Sequence, residues 1–178
     1  MMMPGHALSG AALWLGLGAA AAGVGFQLQP VDLLAGAATC AGAALLPDLD
    51  APGATLSRLV CPLPSRARNA LWAAVVTPLT GGHRERTHVL EFAALAGVLA
   101  ALVGNWLGVW WPGPAVALGC AVHIFGDWLT ISGVRWFLGS KRRYAARLFR
   151  TGGAVETMLV TPVLLVAVAG LGWLAVGG

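Results

Sequence analysis

The sequence predicts an all-α, polytopic membrane helical bundle, and its composition and long uncharged runs carry that prediction. Of the 178 residues, 58% are hydrophobic and only 10% are charged, whereas an average soluble chain is about 25% charged. Uncharged runs recur at roughly the length of 20 residues that crosses a bilayer. This composition excludes a disordered chain, which needs low hydrophobicity and high charge. Three widely spaced cysteines also argue against a disulfide scaffold.

Five uncharged segments predict about five membrane spans, so that residues 1–178 form a single integral membrane domain. The stretch 92–126 has no Asp, Glu, Lys or Arg and is too long for one helix. The sequence Pro112-Gly113-Pro114 is expected to break it, because proline does not continue a helix. The predicted spans cover about residues 7–26, 33–47, 92–111, 115–134 and 157–178.

The connection between the second and third spans contains an interfacial or re-entrant segment at about residues 54–82. Its apolar part, residues 69–82, is too short to span and is expected to rest on the membrane surface. Arg66 and Arg68 precede this part and would suit lipid headgroups.

The basic residues predict the orientation. All eleven Lys and Arg follow the second or the fourth predicted span. By the positive-inside rule, the chain is a multi-pass protein of the cell inner (plasma) membrane, with its N-terminus cytoplasmic and its C-terminus outside. The expected partner is therefore the lipid bilayer, and no nucleic acid is expected despite the net charge of +4. The oligomeric state is open, since the small residues of the first span suit either a dimer or packing within one bundle.

The same topology brings all four histidines to one membrane face, together with Asp48, Asp50, Asp127 and Glu156. Ionisable groups inside a span are costly and usually face a partner or a polar interior. His123 and Asp127 are four residues apart and therefore share one helix face. Imidazole and carboxylate together suit zinc, manganese or iron. The candidate ligands are His6, Asp48, Asp50, His83, His88, His123, Asp127 and Glu156.

Each of these residues has an ordinary explanation when taken alone, as a satisfied polar group, a loop acid or a topological charge. A His–Asp proton relay is the main competitor and would indicate a proton- or metal-coupled transporter. The few spans and the lack of an internal repeat argue against it. A PAP2-type phosphatase would need motifs that are absent. A non-catalytic membrane scaffold with a structural metal site remains open.

Four motifs in this order resemble the YdjM-type family of membrane-bound metal-dependent hydrolases. They are His6, LLPDLDAP at 45–52, GHRERTH at 82–88 and HIFGDWLTISG at 123–133. The resemblance covers residues 6 to about 156. The chain departs from the family pattern at Glu85, where a glycine is expected, at Val89, where a serine is expected, and after Gly133, where a proline is missing. A remote similarity to the zinc phospholipase C and P1 nuclease group concerns ligand order only.

The resemblance implies a hydrolase in which the candidate ligands hold two or three divalent ions, most simply zinc, with manganese or iron as alternatives. The remote similarity suggests that the substrate is a phosphoester, such as a phospholipid or a lipid-linked phosphate, cleaved by metal-activated water at the cytoplasmic face. Asp50 or Glu156 could be the general base. Arg84 and Arg86 could bind phosphate, and Thr87 and Thr130 could orient ligands.

Overall fold

The computed structural model describes residues 1–177, and the fold is helical throughout them apart from loops. Only two isolated bridges, Thr130–Phe149 and Val134–Tyr144, have strand-like pairing within that range. The predicted all-α class is confirmed. Gly178, the last residue of the predicted fifth span, lies outside the described residues. The main helices are α1 (Met3–Gly23), α2 (Pro30–Ala43), α3 (Thr55–Val60), α4 (Ser65–Leu71), α5 (Thr77–Thr80), α6 (Leu90–Leu107), α7 (Pro112–Trp128) and α8 (Thr161–Gly177).

Three helical segments are long and apolar enough to cross a membrane. They are Pro30–Asp50, Leu90–Leu107 and Glu156–Ala175. The two other long helices do not meet both conditions. Helix α1 is rich in glycine and alanine and carries a histidine, and α7 is 17 residues long and carries a histidine and an aspartate. The count of five spans is therefore not confirmed and stays a prediction.

Helix α7 begins three residues earlier than the predicted fourth span. Pro112 and Pro114 lie in its first turn, where the missing N–H costs no intrahelical hydrogen bond. The prolines therefore start this helix instead of lying between two helices. The helix also ends at Trp128, so residues 129–134 belong to the irregular connection to α8.

The long helices alternate in direction, so that five helix ends meet at one end of the bundle. The start of α1, the end of α2, the start of α6, the end of α7 and the turn before α8 all carry candidate ligands. Helix α1 packs against α2, α7 and α8, and α7 packs against α2 and α6. This antiparallel order brings together polar residues that are far apart in sequence.

Small residues fix the crossing of α1, α2 and α7. A Cβ added at Gly10 would lie 2.6 Å from the Cys40 carbonyl oxygen, and one added at Gly119 would lie 2.4 Å from the same atom. Neither position has room for a side chain, so the α1 and α7 backbones both rest on α2. Such close backbone approach is typical of helix packing in lipid.

The predicted interfacial segment contains three short helices, α3 to α5, with a π-helical turn at Trp72–Val76. Several large apolar side chains of this segment are exposed, as expected for a surface that rests on a membrane; they are Leu59, Val60, Leu63, Leu71, Val75 and Leu79. Arg68 differs from the prediction. Its side chain is buried, and it donates hydrogen bonds to the carbonyls of Pro52 (2.6 Å) and Leu63 (2.9 Å) instead of reaching outward.

Candidate metal centre

Seven of the eight candidate ligands come together in three overlapping groups. In each group, one ligand atom from every residue lies within 4.8 Å of the others. The helix group comes mainly from α1 and α7, the loop group from the turn after α2 and the loop before α6, and the bridging group lies between them. The helix group is His6, His123 and Asp127; the bridging group is Asp48, His88 and His123; the loop group is Asp50, His83 and His88.

The helix group is built by packed helices. His6 Nε2 lies 3.3 Å from Asp127 Oδ1. The His6 and His123 rings stack, with centroids 3.7 Å apart. His123 Nδ1 donates a 2.7 Å hydrogen bond to the Ala44 carbonyl, which leaves its Nε2 unprotonated when the ring is neutral. That nitrogen is then available as a ligand.

The loop group is built by side-chain hydrogen bonds around Asp50. Its Oδ1 lies 2.7 Å from His83 Nδ1. Its Oδ2 accepts hydrogen bonds from the Thr87 hydroxyl (2.5 Å) and from the Arg84 backbone N–H (3.2 Å). The Thr87 oxygen also lies 3.0 Å from His88 Nδ1. Thr87 thus lies where the sequence predicted a ligand-orienting residue.

The bridging group links the two halves. The Nε2 atoms of His88 and His123 are 3.2 Å apart. Asp48 Oδ1 lies 3.6 Å from the first and 3.7 Å from the second. Burial lowers the pKa of His88, but the neighbouring carboxylates of Asp48 and Asp50 outweigh this effect and raise that pKa overall.

Several buried atoms of the helix group lack hydrogen-bond partners within residues 1–177. They are both ring nitrogens of His6 and Asp127 Oδ2. Asp127 Oδ2 lies 2.7 Å from the Arg84 guanidinium, but without hydrogen-bond geometry. Buried polar atoms without partners are costly, and a cation would satisfy them. The residue set therefore fits a divalent metal with nitrogen and oxygen ligands.

The centre is exposed at His83 and Asp48. His6, His88 and His123 are fully buried. The side chain of His83 is 45% exposed and that of Asp48 is 24% exposed. A solute would therefore reach the ligands along the edge that these two residues form.

The two arginines predicted to bind phosphate differ in position. Arg84 lies inside the centre, with its side chain only 13% exposed and paired with Asp127. Arg86 is exposed and donates a 3.0 Å hydrogen bond to the Leu79 carbonyl. The structure therefore brings only Arg84 to the candidate ligands.

Glu156 and Thr130 lie beside the centre and outside its three groups. Glu156 is buried in a π-helical turn, Glu156–Val160, and accepts hydrogen bonds from the backbone N–H groups of Met2 (2.5 Å) and Gly152 (2.8 Å). Glu156 thus holds the first residues of the chain, which precede His6, in place. Thr130 donates a 2.8 Å hydrogen bond to the Asp127 carbonyl and fastens the end of α7.

Some supporting groups were not predicted from the sequence. The Ala44 carbonyl orients His123. Trp72 Nε1 donates a 2.9 Å hydrogen bond to the Leu49 carbonyl, and Ser57 donates one of 2.6 Å to the Ala51 carbonyl. These bonds hold the turn that carries Asp48 and Asp50. Backbone carbonyls leave no signal in a residue pattern, which is why spacing alone did not find them.

Comparison with known proteins gives one family and no individual relative. No curated protein and no solved structure matches the chain. The family described as YdjM inner membrane protein matches residues 1–177. The match includes every element of the candidate metal centre and agrees with the apolar helices. The chain is a membrane protein, and it belongs to the YdjM inner membrane protein family.

Proposed function

We propose that this chain is an integral membrane metal-dependent hydrolase that acts on a phosphoester, such as a phospholipid or a lipid-linked phosphate. The observation that carries the proposal is the convergence of seven His and Asp side chains, most of them buried, on three groups with ligand-like spacing. Burying so many ionisable groups is costly unless they share a partner. A divalent cation is the partner that imidazole and carboxylate groups have in common.

The helix, bridging and loop groups would hold two or three ions, with zinc as the first candidate and manganese or iron as alternatives. A bound metal supplies Lewis-acid chemistry, which activates water and stabilises the oxygens of a phosphoester. The chain's own residues orient the ligands. The Ala44 carbonyl accepts a hydrogen bond from the His123 ring, and the Thr87 hydroxyl contacts both Asp50 and His88.

Arg84 is the best candidate for binding the phosphate of the substrate. Its guanidinium lies beside Asp127 and next to the residue that forms the open edge, His83. A guanidinium can donate two parallel hydrogen bonds to phosphate oxygens. Asp50 is better placed than Glu156 to act on a substrate, because it belongs to the loop group beside the exposed His83, whereas Glu156 lies outside the three groups.

We further propose that α1 and α7 also cross the inner membrane, which gives five spans with the metal centre at the cytoplasmic face. The alternating direction of the five long helices supports this arrangement, as does the position of all Lys and Arg residues in the two connections on the side of the centre. A centre at headgroup depth would suit a lipid substrate better than a small soluble one.

A transporter is less well supported. A relay across the membrane needs polar groups along its whole path. The core towards the opposite end of the bundle is formed by Trp14, Leu15, Leu33 and Ala37, all apolar or nearly so. A purely structural metal site would leave the protein without phosphoesterase activity, and the experiment below separates the two.

The test is elemental analysis of the detergent-purified full-length chain, comparing wild type with Asp127→Ala and with Asp32→Ala as the matched control. Asp32 is also an acid on a long helix, but its carboxylate accepts a hydrogen bond from Trp111, far from the ligands. Wild type and Asp32→Ala should carry at least two equivalents of metal, and Asp127→Ala should carry fewer. Chromogenic phosphoesters and phospholipid vesicles then test hydrolysis. A folded wild-type chain that takes up no metal would refute the proposal, and full metal content without hydrolysis would leave a structural site.

A further inference from the structure

The loop of residues 81–86, which delivers His83 and Arg84 to the metal centre, has an unusual backbone. Gly81 and Gly82 have φ angles of 80° and 104°, and Arg84 has a φ of 63°. A left-handed conformation is ordinary for glycine but costs free energy for arginine, and it persists only where the surroundings impose it. Something must therefore hold this loop in place.

Two contacts of Arg84 account for part of that constraint. Its backbone N–H donates to Asp50 Oδ2 at 3.2 Å, and its guanidinium pairs with Asp127 at 2.7 Å. Both contacts are made to candidate ligands. If Asp50 and Asp127 turned towards a bound metal ion, the loop would lose both contacts. It would then keep its position only if it were also held on its outer side.

Glu85 provides that outer attachment. Its carboxylate pairs with Arg135 through Oε2 and with Arg143 through Oε1, the latter at 3.1 Å. Both arginines belong to the connection between α7 and α8. They flank the bridge in which Val134 and Tyr144 exchange two backbone hydrogen bonds of 3.0 and 2.8 Å. The bridge sets the two guanidinium groups on opposite oxygens of one carboxylate.

The same connection is fixed to α6. The Leu90 N–H donates to the Trp136 carbonyl at 2.9 Å, and the Leu138 N–H donates to Glu91 at 3.1 Å. The arginines are therefore held by two attachments that do not involve the loop. An ion pair to such a fixed support restrains the loop more than a pair between two free side chains would.

We infer that Glu85 is a positioning residue, and that its ion pairs with Arg135 and Arg143 hold the 81–86 loop so that His83 and Arg84 reach the metal centre. We name these three residues the Glu85 clamp. The inference deepens the proposed function, because it assigns the clamp to the loop group of the same centre. None of the three is a candidate ligand.

The clamp acts on one part of the centre. Releasing the loop frees His83 from Asp50, but it leaves His6, His123 and Asp127 on their helices. Outer partners of metal ligands typically change metal affinity by about 10–100-fold. Glu85→Gln should therefore weaken the loop group by about 10-fold and leave the three ligands of the helix group in place.

The first experiment titrates the detergent-purified full-length chain with Co²⁺ alone and follows the visible absorption of the bound ion. In Glu85→Gln and Arg135→Gln, one equivalent should bind more weakly and with an altered spectrum, while another equivalent should bind no more weakly than in wild type. Glu91→Gln is the matched control, because it removes the charge of another acid that contacts this connection, while the glutamine side-chain oxygen can still accept the Leu138 N–H. Wild-type binding in both clamp variants would overturn the inference, and so would equal weakening of every equivalent.

The second experiment needs no metal and judges the clamp separately from the proposed function. Trypsin cleavage after Arg84 and Arg86 is compared in wild type, Arg135→Gln and Arg143→Ala, which leave the sequence around the cleavage sites unchanged. Arg143 is 43% exposed, so its removal should not unfold the chain. Both variants should be cleaved several-fold faster than wild type. Unchanged cleavage in both variants would overturn the clamp. If the wild type binds no Co²⁺ but both variants are cleaved faster, only the proposed function is refuted.

Discussion

The helix group and the loop group hold similar side chains by different means. His6, His123 and Asp127 are nearly inaccessible and sit on helices whose backbones touch through small residues. His83 is 45% exposed and sits on a loop held by hydrogen bonds and ion pairs. Packing is stiff and insensitive to salt, whereas partly exposed ion pairs are weak and screened. The helix group should therefore be preformed, and the loop group should adapt to what enters.

The largest expected effect separates the two groups directly. His123 belongs to both the helix and the bridging groups, so His123→Ala should lower metal affinity by more than the roughly 100-fold that outer partners give. His83→Ala should cost only about 10-fold, because His83 belongs to the loop group alone. Isothermal titration of both variants with Zn²⁺ measures the difference. Equal losses would mean that the two groups are not distinct.

A smaller effect tests the packing that underlies the helix group. Gly119→Ala places a methyl group 2.4 Å from the Cys40 carbonyl oxygen and should destabilise the bundle by about 1–3 kcal/mol. Gly170→Ala is the control, since a Cβ there meets nothing within 4 Å. Thermal unfolding in detergent should show a lower Tm for the first variant and no loss for the second. A Tm that is unchanged in Gly119→Ala would contradict the close crossing.

The smallest effect concerns the hydroxyl that links Asp50 and His88. Thr87→Ala removes both contacts and should weaken metal binding by roughly 10-fold without unfolding the chain. Thr87→Ser keeps the hydroxyl and should bind nearly as wild type. Competition against a metal indicator dye compares the two. If serine fails to restore binding, the methyl group rather than the hydroxyl is what matters at this position.

Much of the fold and of the centre follows from residue types and order. Charge placement alone predicted that His6, Asp48, His88 and Asp127 share one end of the molecule, because positive charge and alternating helices determine which ends meet. The number of spans was not settled in this way. Helix α1 is less apolar than an ordinary span, because it contains several glycines and His6. Helix α7 is shorter than an ordinary span and contains His123 and Asp127.

Residues whose role depends on backbone geometry could not be predicted. Arg84 and Arg86 are equivalent in sequence, yet only Arg84 enters the centre, because its positive φ turns the loop inward. The position of Glu156 before the last helix predicts a metal ligand. In the structure, however, a π-helical turn places its carboxylate against two backbone N–H groups. Neither the sign of a φ angle nor a π turn has a marker in the residue pattern.

The order of the groups along the chain has a consequence for biosynthesis. The ligands of the loop group have all been made once residue 88 is reached, whereas the helix group and the bridging group wait for His123 on α7. The Glu85 clamp comes later still, because Arg135 and Arg143 follow α7 in the sequence. The most exposed group of the centre therefore receives its last support only after every ligand of the two other groups has been made.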